Sequence, residues 1–168
     1  MLKFRTLYAL GFTMCVVMMG TALFFFQRFL GLDPCPLCIL QRVIVISLGV
    51  VLLVAAVHGP RGWGNRVYGA LIILVAGTGA AIAGRHVWLQ SLPADQVPEC
   101  GPTLDYILEA FPLNKALQLV LRGSGECAKV DWQFLGLSIP GWTLIAFSGF
   151  ILLGFLLLLH RRSNTPAG

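Results

Sequence analysis

The chain has 168 residues, of which 57% are apolar and only 11% charged, with a formal net charge of +5 and a mean hydropathy of +0.83. That composition excludes an ordinary soluble globular domain and marks an integral membrane protein. The net positive charge mostly reflects membrane topology and is not read as a nucleic-acid footprint.

Crossing a hydrocarbon layer takes about 20 helical residues. Four stretches are long and apolar enough: Leu7 to Phe26, Ile39 to Val57, Val67 to Leu89 and Trp142 to Leu159. The expected fold is an all-α integral membrane protein, a four-helix transmembrane bundle forming one domain over residues 1–168, with a long loop between the third and fourth helices. Lys3 and Arg5 ahead of the first stretch imitate a secretory signal. However, the apolar run is too long, and Thr21-Ala22-Leu23 leads straight into Phe24-Phe25-Phe26 without a small-residue cleavage site. The first span is expected to be retained. Cys15, midway along it, reads as a small buried hydrophobe.

The loop from Gln27 to Cys38 carries Cys35-Pro36-Leu37-Cys38 at the point where a polar segment runs into the second span. Two thiols at this spacing close a small ring, and a thiol at the start of a helix gains thiolate character from the positive end of the helix dipole. Such a ring restrains the chain little, so redox exchange or half of a metal site is the usual use. Arg42 follows Cys38 by four residues and shares its helix face. An ionisable group at that depth is a functional candidate, and a snorkelling anchor is the simpler alternative.

Beyond the loop from His58 to Arg66, where His58 is expected to be solvated or capping, the third span contains the small-residue run Ala76 to Gly84. This run suits close helix packing rather than phosphate binding, because no soluble strand precedes it. Arg85 and His86 lie near the end of that span, at the depth of Cys38 and Arg42. The loop from Gln90 to Gly141 is too long for a plain connector. It contains Cys100 and Cys127 and two amphipathic runs: Leu104, Ile107, Leu108 and Phe111 with Asp105 and Glu109 opposite, then Leu113, Ala116, Leu117, Val120 and Leu121. These would lie in the membrane interface or pack on the helix tops. His160 is expected at a helix end, and residues 163–168 read as a disordered tail.

The charges sort by side. Lys3, Arg5, Arg61, Arg66, Arg161 and Arg162 share one side with no acidic residue, and all seven acids fall on the other. Both termini and the His58 to Arg66 loop are therefore expected in the cytoplasm. The loops over residues 27–38 and 90–141, holding four of the five cysteines, are expected outside it. Disulfides persist there, so a structural staple is an alternative, above all for Cys100 and Cys127. A tetrahedral four-cysteine zinc site is disfavoured, because Cys100 and Cys127 are isolated rather than a second close pair. A membrane dithiol without haem, flavin or dinucleotide signatures needs a lipid-soluble oxidant, and a quinone fits. Cys38, Arg42 and His86 would supply the thiolate and the groups that stabilise charge on the ring oxygens.

Pro34-Cys35-Pro36-Leu37-Cys38 followed by Gln41-Arg42, the pair Cys100 and Cys127, and Ser124-Gly125-Glu126-Cys127-Ala128 leading to Trp132-Gln133-Phe134-Leu135-Gly136-Leu137 resemble the DsbB family of disulfide bond formation proteins. The resemblance covers nearly the whole chain. It implies a quinone-dependent thiol oxidase of the bacterial inner membrane that reoxidises the periplasmic thioredoxin-like oxidase DsbA and passes electrons to ubiquinone, with menaquinone as the alternative. It also implies that Cys100 forms the mixed disulfide with DsbA, that Cys127 shifts into a transient bond with Cys35, and that Cys38 is released as the thiolate facing quinone. Arg42 matches the family arginine at the quinone ring, and His86 aligns with a histidine near it. The chain departs from the best-known pattern in the Pro36-Leu37 interior and in Gln41, where an acid can occur. Two other readings are a quinone-reducing thiol enzyme similar to vitamin K epoxide reductase, whose C-x-x-C lies late in the chain, and a non-enzymatic subunit with structural disulfides.

Overall fold

Helix α1 (Leu2–Gly20) continues into a wider π-helical segment (Thr21–Phe29), followed by α2 (Pro36–His58) and α3 (Trp63–Gln90). Three short helices, α4 (Leu104–Ala110), α5 (Leu113–Arg122) and α6 (Gly125–Ala128), precede a two-stranded hairpin, β1 (Gln133–Phe134) and β2 (Leu137–Ser138), and the final helix α7 (Ile139–Leu159). This computed structural model describes residues 2–93, 95–97 and 104–159; Cys100, His160 and the tail at 163–168 lie outside the described residues.

Among the described residues, four helices are long and apolar enough to span a membrane: Phe4–Phe29, Pro36–His58, Trp63–Gln90 and Ile139–Leu159. Each outruns its apolar stretch, because polar end residues such as Asn65 and Gln90 stay helical and carry the backbone bonds toward the interface. Large apolar side chains point outward, including Phe24 (74% exposed), Leu74 (68%) and Leu156 (67%), as lipid-facing surface requires. Tyr8, Leu48, Leu52, Ile72 and Phe147 fill the centre, and Cys15 is buried among them as a small hydrophobe.

Small residues set the closest helix approaches. A Cβ on Gly69 of α3 would sit 2.9 Å from the Gly154 carbonyl oxygen of α7, and one on Gly79 would sit 2.6 Å from the Phe147 ring. The small-residue run of the third span thus serves packing, as its composition predicts. His58, at the end of α2, is within 3.1 Å of the Tyr68 hydroxyl on α3. Helix α2 ends at Gly59 in the left-handed conformation (φ 60°), whose N–H returns to Ala55 O.

On the cysteine side, α5 buries Ala116 and Val120 and leaves Leu113 and Leu117 exposed, so one helix packs on the bundle and also presents an apolar edge. The hairpin pairs Gln133 with Ser138 and Phe134 with Leu137, and its two-residue turn puts Leu135 (φ 52°) and Gly136 (φ 79°) in the left-handed region that such turns demand. Its aromatic residues dock on the end of the first span. Trp132 meets Phe26 edge to face at 5.0 Å and stacks on Phe134, and the Trp142 indole N–H donates to Phe134 O.

Candidate functional site

Cys35 is the N-cap of α2. Its backbone is extended, its sulfur accepts from the Cys38 N–H at 3.4 Å, and Pro36 takes the first helical position, where no N–H is needed. The two sulfurs lie 3.0 Å apart. One turn further along α2, the half-buried Arg42 reaches the first span. It donates to Gln27 Oε1 at 2.9 Å and to the Ala22 carbonyl of the π-helical segment at 3.4 Å. Arg42 is therefore fixed by its neighbours rather than left to snorkel.

His86 of α3 is 2% exposed and lies beneath the cysteines. Its Nε2 is 3.0 Å from the Cys127 carbonyl oxygen and 3.8 Å from Cys35 Sγ, while its Nδ1 is 3.2 Å from Gln41 Nε2. A carbonyl only accepts, so Nε2 carries the proton and Nδ1 accepts from the Gln41 amide. Gln41 Oε1 in turn accepts from the Thr143 hydroxyl of α7 at 2.7 Å. A hydrogen-bonded chain from α7 through α2 thus sets the tautomer of a histidine on α3, whose N–H goes to the Cys127 carbonyl with Cys35 Sγ 3.8 Å away.

Cys127 reaches the site from above. The linker at Gly123 (φ 81°) fits over Leu89, and Ser124 starts α6, whose Cys127 N–H bonds back to Ser124 O at 2.9 Å. Cys127 is fully buried. Cys35 Sγ, Cys127 Sγ and a His86 ring nitrogen all lie within 4.8 Å of one another, so these residues could also hold a metal ion. The thiol hydrogen bond to Cys35 and then burial push the Cys127 pKa well above its ordinary value.

Two cavities meet at Cys38 and Arg42. One, of about 330 Å³, is lined by Cys35, Cys38, Arg42, His86 and Trp132, with exposed Asp33, Glu126, Lys129 and Asp131 on its wall. The other, of about 280 Å³, runs between the first span and α7 and is lined mainly by Met14, Val17, Met18, Val45 and Ala146, together with Gln41 and Thr143. Arg85 stands apart from the sulfurs: its guanidinium lies 4.4 Å over the Trp88 ring and donates to Arg122 O at the end of α5.

The structure brings Cys35, Cys38, Cys127, Arg42 and His86 together. Gln41 and Thr143 do not stand out from sequence as His86 partners; the position of Gln41 one residue before Arg42 was the only available signal. The family model described as Disulfide bond formation protein DsbB matches residues 4–157. The chain belongs to the DsbB family. A disulfide bond formation protein B from Marinobacter nauticus is 54% identical over 159 residues, 95% of this chain and 94% of the relative. Another from Nitrosococcus oceani is 58% identical over 146 residues, 87% of this chain and 86% of the relative. As a member of the DsbB family, the protein is an oxidoreductase of disulfide formation built on a four-helix transmembrane fold.

Proposed function

We propose that the protein is a thiol:quinone oxidoreductase of the bacterial inner membrane, with its cysteines on the periplasmic side, that reoxidises a DsbA-like partner. The observation that carries this reading is the convergence of Cys35, Cys38 and Cys127 beside an apolar cavity that also contains Arg42. In the cycle, the partner's thiolate attacks the Cys100–Cys127 disulfide at Cys100, and its second thiol then closes the partner's own disulfide. Cys127, released, attacks Cys35 and expels Cys38 as a thiolate. Cys100 then attacks the Cys35–Cys127 bond, which restores Cys100–Cys127 and leaves Cys35 and Cys38 reduced.

The 4.8 Å sulfur neighbourhood suits the Cys127 to Cys35 step, which needs only a small approach. His86 Nε2–H, 3.8 Å from Cys35 Sγ, is close enough to stabilise charge on that sulfur, and Arg42 lines both cavities together with Cys38. The residues fit a quinone: an apolar slot for the tail, a cation for the ring oxygens and an adjacent thiol. When bound, ubiquinone, or menaquinone in its place, supplies the acceptor for two electrons and two protons from the Cys35–Cys38 dithiol. His86 faces Cys35 and Cys127 as well as the larger cavity, so its role falls on sulfur exchange as much as on the ring.

Anaerobic mixing of the purified protein with reduced DsbA and soluble ubiquinone or menaquinone analogues tests the reading by quinone absorbance. Stoichiometric loss of quinone that requires both Cys38 and Cys100 is expected. Equal loss in Cys38→Ser and Cys100→Ser variants, or no loss with either quinone, overturns it.

A further inference from the structure

Cys35, Cys127 and His86 come from an N-cap, a loop helix and a span, and no sequence spacing announces them as a ligand set. Their ligand atoms nevertheless lie within 4.8 Å of one another. Bonds of about 2.3 Å to sulfur and about 2.0 Å to nitrogen hold the ligands of a tetrahedral Zn²⁺ roughly 3.5 to 3.8 Å apart. The present separations close to that range with side-chain rotations. We propose that the reduced protein binds one soft divalent cation of the Zn²⁺ class through Cys35, Cys127 and His86, and that a Cys35–Cys38 disulfide, formed when the dithiol gives two electrons and two protons to a quinone or disulfide oxidant, closes the site. This cation site rests on geometry alone and not on the proposed reaction.

The protons balance within the site. Cys35 and Cys127 each release one to the solvent-connected cavity as the thiolates take the metal. The imidazole stays neutral by carrying its hydrogen on Nδ1 instead of Nε2, which frees Nε2 from the Cys127 carbonyl. The Gln41 amide can follow that change by turning over. Its oxygen then accepts from Nδ1–H and its N–H donates to Thr143 Oγ1, whose own hydrogen goes to the Pro140 carbonyl 2.9 Å away. The second shell is therefore satisfied with either tautomer, as a histidine ligand requires. Cys38, whose sulfur is 3.0 Å from that of Cys35, or a water completes the fourth position. Asp33, Glu126 and Asp131 on the cavity wall, against Lys129 and Arg42, draw cations toward the entrance. A Cys35–Cys38 disulfide removes the thiolate and with it the site.

The test is titration of the full-length reduced protein in detergent with Zn²⁺ against a chromophoric chelator, without partner or quinone, and a parallel Co²⁺ spectrum. One Zn²⁺ per chain is expected, with thiolate-to-Co²⁺ charge-transfer absorption and no binding by the oxidised protein. Cys127→Ser and His86→Ala should each weaken binding at least tenfold, and Gln41→Leu roughly 10- to 100-fold through the second shell. Affinity unaffected by Cys127→Ser and His86→Ala would mean a plain Cys35–Cys38 chelate and overturn the proposal. Equal binding by the oxidised protein would assign the metal to the carboxylates and also overturn it. A Co²⁺ spectrum without sulfur charge transfer does so for the unmodified chain.

Discussion

Replacing Gly123 with alanine should detach Cys127 without unfolding the bundle. Gly123 has φ 81° and ψ 158°, a region essentially reserved for glycine, where a side chain costs of order 1–3 kcal/mol. The new methyl would also drive into Leu89 Cδ1, so that a fully buried side chain must shift. Overpacking of this kind adds about 1–3 kcal/mol. The strain falls on a segment that is easily released, since α6 has four residues and rests on α3, while the spans are held by α2, α3 and α7 packing elsewhere. Lifting the segment is thus the cheaper response. A penalty of about 2 kcal/mol lowers the ratio of docked to undocked segment roughly 30-fold. The assay is maleimide labelling of Cys127 in the reduced protein, in a Cys100→Ser background, with thermal unfolding of the helices measured alongside. Labelling should accelerate by an order of magnitude or more at a nearly unchanged unfolding temperature. Leu89→Ala in the same chain should recover part of the protection, because it relieves the clash and not the backbone strain. Unaltered labelling in Gly123→Ala would refute the view that Gly123 seats Cys127.

Cys35→Ala should make Cys127 ionise at lower pH, because the hydrogen bond to Cys35 is the largest cause of its raised pKa. The pH profile of Cys127 alkylation should shift toward lower pH. The sign for stability follows: a raised thiol pKa favours the docked segment below the ordinary thiol pKa, and that advantage fades as pH climbs through the folded value. Arg42→Ala should slow quinone reduction about tenfold or more while leaving partner thiol exchange nearly unchanged, read as separate phases in stopped flow; equal slowing of both phases would remove its assignment to the ring. Leu135→Asn should stabilise the hairpin by up to about 1 kcal/mol, since asparagine tolerates the left-handed conformation that leucine occupies at φ 52°. Protection of hairpin amides from hydrogen exchange would report it.

The spans and the Cys35–Cys38 pair were legible because hydropathy and local spacing are properties of contiguous residues. Helix α5 was legible from the spacing of Ala116 and Val120, although the same pattern also placed Leu113 and Leu117, which remain exposed. Arg42 was legible as a neighbour of Cys38 one turn away, but not as a ligand of the Gln27 side chain and the Ala22 carbonyl, which belong to another span. The Thr143–Gln41–His86 chain was not legible, because its ends come from different helices and polar residues at span ends are common. Helix α6 was hidden by its four-residue length, too short for a periodic signal. The π-helical turns from Thr21 to Phe29 had no composition to announce them, being as apolar as the α-helix they extend.

Those turns tie the shape of the first span to a residue on the second. In an apolar medium a helix carbonyl has few partners besides its own helix, yet Ala22 O receives a guanidinium N–H from Arg42, with Gln27 receiving another. A lysine can carry the charge there, but not both bonds in one plane. Widened turns hold more residues per rotation than α turns, so deleting one residue between Thr21 and Phe29 would rotate Gln27 away from the guanidinium and rewind the span. Chain length in this segment and the presence of the arginine are therefore coupled. Relatives that differ in one should differ in the other.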